Sequence, residues 1–232
     1  MQNAERFLIA FNKIEKHLSK ILNEDRYIPF HRAVHQLKKT SAVINRYHQD
    51  LLEYSELRNA IVHERTEVNY AIADPYIDTV QAIEWIAEQI TAPKQIIPTF
   101  EKALKVVQAD LELSEVLAMV KETEYSQFPV YQNNQFIGLL TDKTLLHWIA
   151  QQMNGDAGQW PTTKIMEIAK DVKKVSHYRF VPKTMDIYQA EAIFIDNIKK
   201  HQRLDALLIT EEGKADQRLL GMVSPHDLID IP

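Results

Sequence analysis

Two stretches of this 232-residue chain carry side chains at spacings suited to binding chemistry. Near the carboxy terminus, Gly221-Met222-Val223 is followed by Ser224-Pro225-His226-Asp227 and then an apolar run. The hydroxyl and the carboxylate three residues later sit where a helix would begin. Backbone N–H groups at a helix start, with the macrodipole behind them, attract phosphate. A carboxylate one turn in can accept hydrogen bonds from the two cis hydroxyls of a ribose. The same Ser-x-x-Asp spacing also makes a capping box, in which Ser224 bonds a backbone N–H and Asp227 answers back. On the residues alone both readings stand. The earlier stretch, Gly138-Leu139-Leu140-Thr141-Asp142-Lys143-Thr144, has the cap hydroxyl in Thr141 but a neutral Thr144 in place of the carboxylate. Charge-assisted hydrogen bonds are roughly twice as strong as neutral ones. One good site per chain is therefore expected, around Ser224 and Asp227.

A third group lies in the amino-terminal part, Leu57-Arg58-Asn59-Ala60-Ile61-Val62-His63. On an ideal helix Asn59 and His63 share a face, and Arg58 lies to one side. Histidine titrates near neutrality and suits acid–base work. Equally, Arg58 and His63 can close a helix end, where cations complement the dipole, or pair with Glu53 or Glu67. His31 and His35 also stand four apart. They lack the HExxH glutamate and an obvious third ligand, so no metal site is expected.

The absence of cysteine removes disulfides, thiolate catalysis and Cys-based zinc. Residues 1–92 hold 11 basic and 13 acidic side chains, and the remainder 16 and 19. Neither part has the basic excess of a nucleic-acid-binding domain, and no DNA partner is expected. No window reaches the roughly 18 apolar residues of a membrane span, and the start lacks the form of a signal peptide. A soluble cytoplasmic protein is the expectation.

The elements that would position these groups change character along the chain. Phe7, Phe11, Ile14, Leu18 and Ile21 fall on one helix face. Phe30, Ala33, Val34 and Leu37 mark a second helix, and Ile44, Tyr47, Leu51, Tyr54 and Ile61 a third. A fourth, with Asp74 as cap and Pro75 just inside, carries Ile77, Val80, Ile83, Ile86 and Ile90. None of the five glycines precedes Gly138. A small helical bundle is predicted over residues 1–92. Beyond Pro98, short aliphatic runs alternate with helices. Strands are predicted at Val106-Val107, Phe128–Tyr131 and Gln135–Leu140, with helices at Leu113–Glu122 and Asp142–Gln151. The order returns with strands at Phe180-Val181, Ala206–Thr210 and Arg218–Val223, a helix at Ile187–Lys199 and a short one from Pro225. Strand–helix–strand–strand–helix thus occurs twice, an internal duplication. The stretch Asn154–Pro161 reads as a linker, and Phe128, Trp148 and Trp160 as packing residues.

The repeat ends FPVYQNNQFIGLLTDKTLLHWI (Phe128–Ile149) and ALLITEEGKADQRLLGMVSPHDLIDI (Ala206–Ile231) resemble the close of a CBS motif. The upstream runs VVQADLELSEVLAMV and FVPKTMDIYQAEAIFI resemble its first strand and helix. The resemblance spans about 130 residues. It implies a tandem CBS pair, or Bateman module, with motifs at 98–152 and 165–232 joined by a linker at 153–164. By the same resemblance, Ser224 contacts phosphate or ribose with Pro225 and His226 beside it, Asp227 clamps the ribose, Thr141 is the first-motif equivalent of Ser224, and Val181 lines the base pocket. The implied ligand is adenine-containing: AMP, ATP, a cyclic dinucleotide or S-adenosylmethionine.

The Arg58-Asn59-x-x-x-His63 run resembles the signature of HEPN domains, many of which are dimeric, metal-independent ribonucleases. Under that resemblance Arg58 steadies phosphate, Asn59 positions and His63 is the acid or base. The expected fold class is α+β, an amino-terminal HEPN-like bundle followed by two β-α-β-β-α repeats. The expected function is regulatory, a CBS pair sensing an adenine nucleotide and modulating the helical domain or a protein partner. Two readings compete with it: a ribonuclease gated by the CBS module, which would add RNA as a partner, and a degenerate module serving dimerisation alone. No cofactor is required, and a homodimer is expected because both resembled families commonly dimerise.

Overall fold

The computed structural model describes residues 3–23, 27–63, 74–101, 104–123, 125–152, 157–169 and 177–229. It is mixed α and β and divides into two compact units. The first comprises Met1–Lys94 together with Asp186–Ala192, and the second Gln95–Met185 with Ile193–Pro232.

The first unit is helical: α1 (Asn3–Leu22), α2 (Phe30–Leu37), α3 (Ala42–Arg46), α4 (His48–His63) and α5 (Ile77–Thr91). The apolar stripe of α1 is buried at Phe7, Phe11, Ile14 and Leu18, whereas Ile21, in the last turn of the same stripe, is 47% exposed. Its partners include Phe30 of α2, with ring centroids 4.5 Å apart from Phe11, and Tyr54 of α4, edge-on to Phe7 at 5.8 Å. Each fully buried Phe or Ile contributes about 1.5–3 kcal/mol over an exposed one.

Two local expectations are corrected here. Asp74 does not cap α5, which starts at Ile77 without a side-chain cap. Its carboxylate instead accepts the Ala4 N–H at 2.9 Å, satisfying one of the orphan backbone donors that open α1, and Asn3 Nδ2 donates to the Pro75 carbonyl at 3.0 Å. The predicted third helix is two helices. It breaks at Tyr47 (φ −98°, ψ 14°), whose buried ring packs edge-on against Trp85. Ser41 caps the first piece, accepting the Ile44 N–H at 3.5 Å.

The second unit holds two three-stranded sheets of identical plan. In the first motif, β1 (Val107–Gln108) runs parallel to β2 (Gln127–Gln132) after a crossover through α6 (Leu113–Thr123). β2 then turns into antiparallel β3 (Gln135–Thr141), which leads into α7 (Asp142–Gln152). The turn residues Asn133 and Asn134 both take positive φ, 49° and 62°, the left-handed geometry a two-residue hairpin requires and asparagine tolerates. In the second motif, β4 (Tyr178–Pro182) is parallel to β5 (Ala206–Thr210) across α8 (Ile187–Lys199), and β6 (Gly221–Val223) is antiparallel to β5. A three-residue 3₁₀ turn, His226–Leu228, stands where a short helix was expected. Strand β6 is shorter than the predicted Arg218–Val223, although the Leu220 N–H still bonds the Ile209 carbonyl at 2.8 Å. Part of the expected linker is itself a 3₁₀ turn, Ala157–Thr162. Val107, Val116, Phe128, Val130 and Trp148 form the core of the first motif, with Trp160 against Trp148 at 6.0 Å. A second cluster joins the sheets: Leu139 from β3, Ala206 and Leu208 from β5, and the rings of Phe136, Tyr178 and Phe180.

Among the described residues, no helix is long and apolar enough to cross a membrane.

Candidate ligand-binding site

At the carboxyl end of β6 the chain leaves the sheet at Ser224 and turns sharply. Ser224 N–H and Ser224 Oγ–H both donate to Asp227 Oδ2, each at 2.7 Å. The Asp227 N–H returns to the Ser224 carbonyl at 3.2 Å. The carboxylate is thereby fixed over the start of the 3₁₀ turn, half-buried, while Pro225 and His226 stay exposed. This is the backward half of a capping arrangement. The hydroxyl donates to the carboxylate rather than accepting a backbone N–H.

These four residues form one wall of a cleft of about 550 Å³. The facing side comes from the first motif: Leu104 and Lys105, just before β1, and Tyr125, Ser126, Gln127 and Pro129, at the start of β2. A cavity of this size suits a small organic ligand. Lys105 supplies a cation, Asp227 an anion, Ser224, Ser126 and Gln127 hydrogen-bonding groups, and Tyr125 and Pro129 flat apolar surface. Among the described residues, Gln127 Oε1 is buried without a hydrogen-bond partner, while its Nε2 reaches the Asp205 carbonyl at 3.4 Å.

The corresponding corner of the first motif is closed. Thr141 N–H donates to Thr144 Oγ1 at 2.7 Å, Thr144 N–H to Thr141 Oγ1 at 3.1 Å, and Thr144 Oγ1 to the Thr141 carbonyl at 2.6 Å. Thr144 has no exposed surface and Thr141 only 2%. The two threonines cap α7 with each other. Val181 is buried near the end of β4, in register with Ile209, and is not among the residues lining the cleft. Of the six residues singled out for ligand binding, the cleft brings together Ser224, Pro225, His226 and Asp227.

The residues on the facing wall escaped the sequence reading. Their signal is positional, since they precede the first two strands of one motif and face the end of the third strand of the other. That signal is usable only once the pairing of the motifs is known. A second, larger cleft of about 1190 Å³ lies between the β2–β3 hairpin and the loop before β6.

In the helical unit, Arg58 and Asn59 lie on α4, where Arg58 Nη1 donates to Asn59 Oδ1 at 3.3 Å. His63 is the last residue of α4, and its side chain lies outside the described residues, as does Glu67. His31 and His35 are exposed on α2. Among the described residues, no group of three His, Asp or Glu side chains could hold a metal ion.

The CBS domain model matches residues 100–151, which take in most of the first β-α-β-β-α motif. The comparison with curated proteins found no match. Several solved structures are also similar to part of this chain. One is CBSX2 in complex with AMP, at 14% identity, 59% coverage of this chain and 93% of that one, with a TM-score of 0.43. Another is the CBS domains of a transcriptional regulator from Streptococcus pneumoniae, at 17% identity, 59% and 98% coverage and a TM-score of 0.40. A third is a hemolysin-like protein containing a CBS domain, from Oenococcus oeni PSU, at 17% identity, 56% and 81% coverage and a TM-score of 0.38.

Proposed function

We propose that this chain is a regulatory ligand-sensing protein whose tandem CBS pair binds an adenine nucleotide in the Ser224–Asp227 cleft and thereby modulates the helical unit or a partner protein. The observation that carries the reading is the convergence on one cleft of a fixed carboxylate, a lysine and an aromatic ring from two separate motifs. The ribose diol bonds Asp227, whose carboxylate is already oriented by Ser224. The phosphate lies toward Lys105, the cation on the facing wall. The base packs against Tyr125 and Pro129. The first-motif corner takes no ligand, because the Thr141 and Thr144 hydroxyls are buried and consumed by each other. Binding shifts an equilibrium between two states only by the difference in its affinity for them, so the regulatory effect requires a second arrangement of the chain or of a homodimer of it.

The test is a thermal-shift screen of AMP, ATP, cyclic dinucleotides and S-adenosylmethionine on the wild type and Asp227→Ala. A ligand at about 100 times its dissociation constant stabilises by roughly 2.7 kcal/mol. A shift of several degrees with one ligand, lost in Asp227→Ala, is the expected result. No shift with any of them rejects the nucleotide reading.

A further inference from the structure

Helix α8 belongs by sequence to the second motif, between β4 and β5, yet its first two turns are part of the helical unit. Its start is fixed by a reciprocal cap: Gln189 N–H donates to Asp186 Oδ1 at 2.8 Å, and Asp186 N–H to Gln189 Oε1 at 3.1 Å. The next residue, Ile187, donates its N–H to the Lys94 carbonyl at 2.9 Å. Tyr188 is then almost completely buried, 1% exposed. Its hydroxyl lies 3.2 Å from that of Tyr47 and donates to Gln89 Oε1 at 3.0 Å, and Gln89 is itself 7% exposed. One turn later, both carboxylate oxygens of Glu191 take hydrogen bonds from Arg46 Nη1, each at 2.7 Å. The Arg46 guanidinium also lies 6.0 Å and 5.8 Å from the ring centres of Tyr47 and Tyr188.

An apolar contact would tolerate slippage. A buried Tyr–Tyr–Gln chain does not, because polar groups withdrawn from water lose their partners if the helix moves. Burial, reinforced by the bond to Tyr47, pushes the Tyr188 hydroxyl well above its ordinary pKa, so it remains a donor across the accessible range. The residue it meets, Tyr47, is the break between α3 and α4. Beyond Ala192 the same helix continues to Lys199 within the second unit.

We propose that residues 186–192 are a conformational latch: with Tyr188 seated on Tyr47 and Gln89, the α3–α4 break is held in place, and when α8 withdraws, α3, α4 and the end of α5 loosen. Residues 1–94 are then an incomplete folding unit, finished in cis by two turns of the second motif. The latch goes beyond the nucleotide reading and does not depend on it.

The test is hydrogen exchange on the full chain without nucleotide, in wild type, Tyr188→Phe and Glu191→Gln. Removing the buried Tyr188 hydroxyl is expected to speed exchange of the α3–α4 amides (42–51) and the end of α5 (83–91) by about fivefold or more, and Glu191→Gln, which weakens the exposed pair with Arg46, to speed it less. Amides of β2 and β3 should keep their wild-type rates. Unchanged rates at 42–51 and 83–91 in both variants would overturn the latch. So would equal acceleration in β2 and β3, which would mean plain global destabilisation. Tyr188→Ala gives a larger local effect if it folds, and the two milder variants decide the matter if it does not. Because no nucleotide is present, failure here leaves the ligand reading standing, and failure of the thermal-shift screen leaves the latch standing.

Discussion

Asp227 Oδ2 receives two hydrogen bonds from one residue, the Ser224 N–H and the Ser224 hydroxyl, both at 2.7 Å. The carboxylate proposed to read the ligand is therefore also a structural cap, and substitution separates the roles. Ser224→Ala removes only the hydroxyl bond and should cost about 1 kcal/mol of stability. Asp227→Asn keeps the volume and one acceptor oxygen but loses the charge. Calorimetric titration of the nucleotide identified by the thermal-shift screen should then show binding about tenfold weaker, since one charge-assisted bond exceeds a neutral one by roughly 1.4 kcal/mol. Equal affinities for wild type and Asp227→Asn would remove Asp227 from the ligand contacts.

The threonine pair at the start of α7 leads to the opposite expectation. Thr144 has no exposed surface, and among the described residues its hydroxyl bonds Thr141. Thr144→Ala should destabilise the chain by about 1–2 kcal/mol, the usual cost of a lost cap, and leave nucleotide affinity unchanged. The titration should saturate at one ligand per chain. A stoichiometry of two would mean that this corner opens and binds.

Much of this architecture is legible in the residues because it rests on local rules. The apolar stripe of α1, the Asn133-Asn134 turn and the bounds of α8 and β5 each follow from spacing or from backbone preference within a few residues. What escapes a local reading depends on distant partners. Asp74 looks like the cap of the helix it precedes, yet it serves α1, 70 residues away in sequence. The break at Tyr47 carries no glycine or proline to announce it, and its ring packs against Trp85 and Tyr188. The site divides the same way. Ser224 and Asp227 are candidates by their spacing and line the cleft, whereas Lys105 and Tyr125 become candidates only when the first motif is set against the second.

Gly221 begins the Gly-to-Ser run, and its requirement is steric. A Cβ there would lie 2.4 Å from the Phe100 carbonyl oxygen, a backbone atom that cannot rotate away, in the place where Glu101 bridges to this strand. Gly221→Ala must push that backbone aside, at a cost of about 1–3 kcal/mol by the measure of other overpacked sites. Because β6 delivers Ser224 to the cleft, nucleotide affinity should fall together with the denaturation midpoint. A variant as stable as the wild type would show that the segment around Phe100 moves freely.

Asp186 makes stability depend on pH in a direction unusual for a capping carboxylate. Burial, its largest influence, raises its pKa, and the bonds from the Gln189 and Tyr188 backbone only partly offset this. The folded state therefore holds this proton more tightly than the unfolded chain. Its contribution to stability is fully present below the unfolded carboxylate pKa and is lost as pH rises through the folded value. Asp186→Asn keeps an oxygen for the Gln189 N–H and has nothing to ionise, and asparagine is an equally good cap. The variant should match the wild type near pH 3 and become the more stable of the two by pH 7, the gap opening across the acid range and then holding constant. Melting temperatures of both proteins measured from pH 3 to 7 test this. A wild type that gains on the variant as pH rises would mean that the hydrogen bonds to the ionised cap outweigh the cost of burying it.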